Sequence, residues 1–219
     1  MNIATTFRAL TLSLAAALIP ASLTAAQISF DAGWQEQRFA MFSSNGYGPR
    51  GSTLDIVSDG TVSLLWTRLP ESLWPARSAS WAWSVQDSVP PTDLRRKGGD
   101  DRNLALYFVF LPAETARANA DSGIRRLLDA DEARVLVYVW GGASGQPRVQ
   151  TSPYLGPRGR TVALRPAGTG QATEKIDLAA DFRAAFGEAP TALVGLAVSA
   201  DSDDTNTRIR ARISDLTLR

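Results

Sequence analysis

Two short acidic stretches hold most of the side chains with which this sequence could do chemistry. The first, "RRKGGDDRN", sets Lys97, Asp100 and Asp101 around a Gly98-Gly99 turn, and the second, "SADSDDTNTR", packs Asp201, Asp203 and Asp204 close together. Carboxylates beside a lysine can hydrogen-bond a sugar, serve as general acid or base, or ligate a hard cation. The chain has neither histidine nor cysteine, which removes Ser-His-Asp and Cys-His catalysis together with ordinary zinc sites. It also lacks a glycine-rich phosphate loop, so nucleotide chemistry has no foothold. Carboxylate-pair glycoside hydrolysis, proton abstraction by Tyr or Lys, and oxygen-ligand metal binding are what remain.

Each stretch also has a plainer reading. Gly-Gly-Asp-Asp is ordinary turn chemistry, in which Asp100 and Asp101 form the turn and pair with neighbouring arginines. In the second stretch an EF-hand is excluded, because Asn206 stands where that loop needs glycine and Arg212 where it needs the bidentate glutamate. A polar turn is left, or a lone calcium held by Asp201, Asp203 and Asp204 with backbone carbonyls. Tyr138 and Trp140 share a parity and are candidates to stack on sugar rings, or else belong to the core. Arg208, Arg210 and Arg212 alternate along the last strand, so they project from one face, either to grip an anionic polymer or to form a solvated surface that blocks edge pairing. No catalytic residue is assigned.

The elements that must position these groups follow from the hydrophobic period. Most of the chain alternates with period two between Gly, Pro, Asn and Asp clusters, the mark of an antiparallel all-β protein. "STLDIVS" and "TVSLLWTRL" flank Asp59-Gly60, a two-residue hairpin signal. "SASWAWSV" puts Trp81, Trp83 and Val85 on one face; "NLALYFVFL", "RVLVYVW" and "TALVGLAVS" are apolar on both, as central strands covered on each side should be. "IDLAADFRAAFG" spaces Leu178, Phe182 and Phe186 as a helical stripe with Asp177 as N-cap and Gly187 as stop. Residues 112–133 read as a partly helical excursion, and 141–160 as a long loop or loose hairpin. In the closing strand Leu216 and Leu218 fall out of parity with Ile209, Ala211 and Ile213, which a bulge near Ser214-Asp215 would repair. The expected fold is a two-layer antiparallel β-sandwich of jelly-roll type, galactose-binding-like, with one or two short helices. Because the two acidic stretches adjoin strand ends, they are expected to meet.

At the N-terminus, Arg8, an apolar run from Ala9 to about Ile19, and small residues before Gln27 have the layout of a secretory signal peptide. The expected division is a leader over residues 1–26 and one β-sandwich domain over 27–219, periplasmic or secreted. The apolar run is shorter than the roughly 20 residues that a membrane helix needs, so no span is expected. The formal net charge is only +1, which argues against nucleic acid and anionic membranes as partners.

The ordered blocks "WAWSV", "KGGDD" leading into "LALYFVF", "VLVYVWG", "DFRAAFG" and "LVGLAVSADSDDTNTRIRARISDLTL" resemble the bacterial envelope family catalogued as domain of unknown function 3047. The resemblance covers most of Trp81 to Leu218. It implies an envelope location and a β architecture without an activity. Two positions depart from the family pattern: Gly98 stands where an acidic residue is usual, and a tryptophan is missing around Ala172-Thr173. The leading expectation is a non-catalytic binding module for a glycan or another envelope component. The alternatives are a polysaccharide-degrading enzyme using Asp100, Asp101, Lys97 or Tyr138, and a structural envelope protein that binds a partner protein.

Overall fold

Alternating side chains give each strand one face to bury, and in this computed structural model, which describes residues 25–219, the strands bury them against one another in two sheets. In chain order they are β1 (Ala26–Gln27), β2 (Gln35–Arg38), β3 (Gly46–Arg50), β4 (Thr53–Asp59), β5 (Val62–Arg68), β6 (Ser78–Asp87), β7 (Arg102–Leu111), β8 (Arg134–Gly141), β9 (Val149–Ser152), β10 (Gly156–Arg165), β11 (Gly170–Asp177), β12 (Ala192–Asp201) and β13 (Arg208–Leu218). The first sheet has the order β11-β6-β13-β4-β3, with β1 also on β13; the second runs β2-β5-β12-β7-β8-β10-β9. The fold is a jelly-roll β-sandwich. The expected leader lies outside the described residues, apart from Ala25 and Ala26. Ala26 pairs with Leu218. None of the described helices is long and apolar enough to cross a membrane.

Between the sheets sits an aromatic core. Trp81, Trp83 and Val85 of β6 meet Leu104, Leu106, Phe108 and Phe110 of β7 and Leu136, Tyr138 and Trp140 of β8, all buried. Trp81 and Trp83 pack edge to face at 5.5 Å. Burying each large apolar side chain of this kind contributes roughly 1.5–3 kcal/mol. The odd residues of β7 and β8 face the other way, and there Ala105, Val109, Val135, Val137 and Val139 join Val194 of β12 in a second apolar layer. The excursion roofs that layer with α1 (Ala113–Ala118) and α2 (Ile124–Asp129). This second layer is why β7, β8 and β12 read as apolar on both faces.

The third helix, α3 (Leu178–Phe186), has the caps that its sequence specifies. Asp177 Oδ1 accepts a hydrogen bond from the Ala180 N–H at 2.9 Å, and Gly187 closes the helix at φ 74°. The bulge in β13 is also present: the register on β6 shifts between Ser214 and Thr217, and Asp215 has φ 56°. Leu216 and Leu218 are thereby buried with Ile209 and Ile213.

Three expectations need correction. Asp59-Gly60 does not close a hairpin, because β4 pairs β3 and β13 while β5 pairs β2 and β12. Both edges of each strand are taken, so the turn arches from one sheet to the other, with the Gly60 N–H donating to Thr207 O at 3.0 Å. The sandwich is not wholly antiparallel either. Residues 141–160 contain β9, which carries the chain back so that β10 enters beside β8 in parallel. Finally, the described residues hold three short α-helices and a 3-10 turn at Glu71–Leu73, since the excursion forms two helices of its own.

Candidate functional site

The "GGDD" turn feeds β7 and the "DSDD" turn leaves β12, and these strands are antiparallel neighbours with Arg102 opposite Asp201. The two acidic turns therefore share one end of the second sheet. A local irregularity sets their geometry. On β8, Arg102 and Leu104 pair consecutive residues, Gly141 and Trp140, so β7 carries one extra residue at Asn103. The shift in parity brings Arg102 to the same side as Tyr107 and Val109. The close approach needs a glycine opposite, because a Cβ on Gly141 would lie 2.9 Å from Arg102 Cα.

Asp101 is fully buried and works as an anchor between the turns. Its Oδ2 accepts hydrogen bonds from Thr205 N at 2.7 Å and Thr205 Oγ1 at 2.6 Å, and its Oδ1 one from Asp204 N at 3.4 Å. Asp100 accepts from Arg102 Nη1 at 2.8 Å and from the Tyr154 hydroxyl at 3.0 Å. Arg102 Nη1 also lies 3.0 Å from Asp201 Oδ2, and its Nη2 donates to Tyr107 at 3.0 Å. The guanidinium is thus shared between two carboxylates and a phenol. Burial works against its charge, yet Tyr107, Asp201 and Asp100 together raise its pKa above the ordinary value.

Asp201 is the most perturbed carboxyl of the group. Burial pushes its pKa up to about 8, Arg102 opposes the shift, and Asp203 and Asp101 add to it. Its Oδ1 is buried and accepts no hydrogen bond from the described residues. One carboxylate oxygen from each of Asp101, Asp201 and Asp203 lies within 4.8 Å of the others. Asp204 is not one of the three; it is exposed, with its backbone N–H bonded to Asp101. Of the expected trio of Asp201, Asp203 and Asp204, the first two stand in this group, and its third member is Asp101.

Beside this cluster a pocket of about 320 Å³ opens on the outer side of the second sheet. Val109, Val137 and Ala197 line it from the sheet, Ile124 and Leu128 from α2, and Phe39 from the β2–β3 loop; Asp100, Arg102, Asp201 and Asp203 form its charged end. Tyr154, 53% exposed, stands in the wall. Burial first and Asp100 second push its phenol up to about 12. Lys97 is exposed, with Nζ 5.2 Å from the Tyr154 ring centroid. It makes no ion pair among the described residues.

Other candidates lie elsewhere. Tyr138 and Trp140 are in the core, where Tyr138 packs on Trp81 and Phe108, and Trp140 on Trp83. Neither ring can stack on a sugar, because both occupy the inward parity of β8. The Tyr138 hydroxyl donates to Asp181 at 2.9 Å, and burial with that carboxylate raises its pKa. Arg210 and Arg212 are paired across strands with Asp87 at 2.5 Å and Asp55 at 2.6 Å. Sequence reasoning passed over Arg102, Tyr107 and Tyr154. A tyrosine at the outward parity of an apolar strand was a usable signal for Tyr107; the extra residue at Asn103 left none for Arg102.

No curated protein matches the chain. Among solved structures it is similar to the xyloglucanase domain of NopAA, a type three effector from Sinorhizobium fredii, in complex with cellobiose. That likeness has a TM-score of 0.46 at 10% identity and covers 88% of this chain and 97% of that one. It is also similar to a loop-swap mutant of Xyn11A from Necallimastix patriciarum, with a TM-score of 0.40 at 9% identity, over 84% and 99% of the two chains. Neither likeness transfers a residue role. The family model described as "Protein of unknown function (DUF3047)" matches residues 31–217, and the chain belongs to that family.

Proposed function

We propose that this chain is a secreted or periplasmic binding module, without catalytic turnover, for a glycan of the cell envelope. The observation that carries this reading is the two-sided character of the pocket. Its volume is about 320 Å³, within the range of about 300–1,000 Å³ of small-molecule sites, which are mostly apolar with a few convergent polar groups. A pyranose has apolar C–H faces and a hydroxyl edge. Val109, Val137 and Phe39 suit the faces, while Asp100, Arg102 and Asp203 suit the hydroxyls. Tyr154 supplies the accessible ring that Tyr138 and Trp140 do not. The excess of carboxylate at the charged end favours a neutral or amino-bearing sugar over a uronic or sulfated one.

The test is calorimetric titration with gluco-, chito- and galacturono-oligosaccharides and with peptidoglycan fragments. Saturable binding to a neutral or amino sugar, weakened at least tenfold by Tyr154→Ala and unchanged by Arg212→Ala, is expected. No saturable binding to any of them, or binding indifferent to Tyr154→Ala, would refute the reading. A second reading, hydrolysis, has one observation in its favour: the carboxyl groups of Asp201 and Asp203 stand together at the charged end of the pocket, and glycoside hydrolysis uses such a pair. New reducing ends released from the same oligosaccharides would establish it in place of the first.

A further inference from the structure

We propose that Asp101, Asp201 and Asp203 bind a divalent metal ion, with calcium the expected occupant. Three observations converge on it. One oxygen from each carboxylate lies within 4.8 Å of the other two, so a single ion can reach all three. Asp201 Oδ1 is buried and accepts no hydrogen bond from the described residues, while Arg102 holds the other oxygen. A buried carboxylate oxygen without a donor is unfavourable, and a cation removes the deficit.

The third observation is the balance of charge. Asp100 and Asp201 share the one buried guanidinium, Arg102, while Asp101 and Asp203, whose oxygens lie beside that of Asp201, have no ion pair of their own among the described residues. Lys97 lies over the Tyr154 ring, and Arg95 is paired with Asp93. Like charges at this spacing repel unless a cation compensates. The donors are all oxygens, which selects a hard ion, and three carboxylates on irregular turns suit the loose geometry of calcium better than the strict octahedron of magnesium. Asp203 is exposed and gives the ion a path from solvent. The inference does not depend on a sugar in the adjoining pocket, since metal binding is read with no glycan present.

The experiment is calorimetric titration of the metal-free protein with calcium chloride, with thermal unfolding in calcium and in chelator, on wild type and Asp203→Asn. Because Asp203 is exposed, this variant should fold even if Asp101 or Asp201 variants do not. One calcium per chain and a midpoint several degrees higher in calcium are expected for wild type, since a ligand of the native state stabilises by mass action. Asp203→Asn should lose at least tenfold in affinity and most of the shift. Absence of binding by wild type, or equal binding by Asp203→Asn, would overturn the proposal. A bound ion would also take Asp201 and Asp203 out of acid-base service, which would count against hydrolysis.

Discussion

The outer faces of the two sheets handle charge in opposite ways. On the first sheet, Arg210 and Arg212 of β13 are answered across the strands by Asp87 and Asp55, and Asp55 also meets Arg50. The charges cancel locally, in water. On the second sheet the outer face is apolar and roofed by α1 and α2, and at its charged rim Asp100 and Asp201 share Arg102 while Asp101 and Asp203 have no ion pair among the described residues. Paired surface ions are worth little to stability, whereas unbalanced carboxylates beside an apolar pocket are retained against an electrostatic penalty. The difference teaches that function is to be sought where charge is left unneutralised, even though the arginine stripe is the more conspicuous pattern in sequence.

The sharpest way to break this contrast is to remove Arg102. Arg102→Ala leaves Asp100 and Asp201 buried without their shared partner and should cost about 3–5 kcal/mol, the loss typical of a broken buried pair. Urea unfolding measures it, and a loss below about 1 kcal/mol would place the rim in the same class as the surface pairs. Asp101→Ala should follow at about 2 kcal/mol, because the Thr205 and Asp204 N–H groups lose a charged acceptor.

The two faces should also respond to pH with opposite sign. Asp201 has its folded pKa raised to about 8 from 3.8, so its contribution to stability is complete below the unfolded value and lost as pH rises between about 4 and 8. Asp55 and Asp87 are held below their ordinary value, chiefly by hydrogen bonds from Arg212 and Arg210. What they contribute is present above that value and lost as pH falls beneath it. In chelator, Asp201→Asn should flatten the decline in urea midpoint between about pH 4 and pH 8 and leave the acid-side loss unchanged; an unaltered decline would contradict the assignment. The smallest effect should come from Arg212→Ala, at less than about 1 kcal/mol and shrinking further in salt.

Much of this architecture was legible before the structure. Period-two alternation marks the strands, Asp177 and Gly187 bracket α3, and the broken parity at Leu216 announces the bulge in β13. The meeting of the two acidic turns also followed from local pattern, since each adjoins an end of an apolar strand. What escaped depends on pairing partners that no local pattern encodes. Asp59-Gly60 has hairpin chemistry, but whether its strands pair or arch depends on which neighbours have already taken their edges. Tyr138 and Trp140 could not be assigned to core or surface because a strand covered on both sides gives both parities the same composition. Arg102 reached the site only through the extra residue at Asn103, and Tyr154 only because β9 and β10 fold the Gly- and Pro-rich stretch back along the second sheet.

The measurement that bears most directly on the contrast is an amide chemical-shift map of the isotope-labelled protein titrated with whichever neutral or amino-sugar oligosaccharide binds. The account predicts perturbations clustered on Asp100 to Tyr107, Ser152 to Leu155 and Ala197 to Asp203, with β4, β6 and β13 unmoved. Perturbations centred on Arg208, Arg210 and Arg212 would contradict it and would make the neutralised face of the first sheet the binding surface.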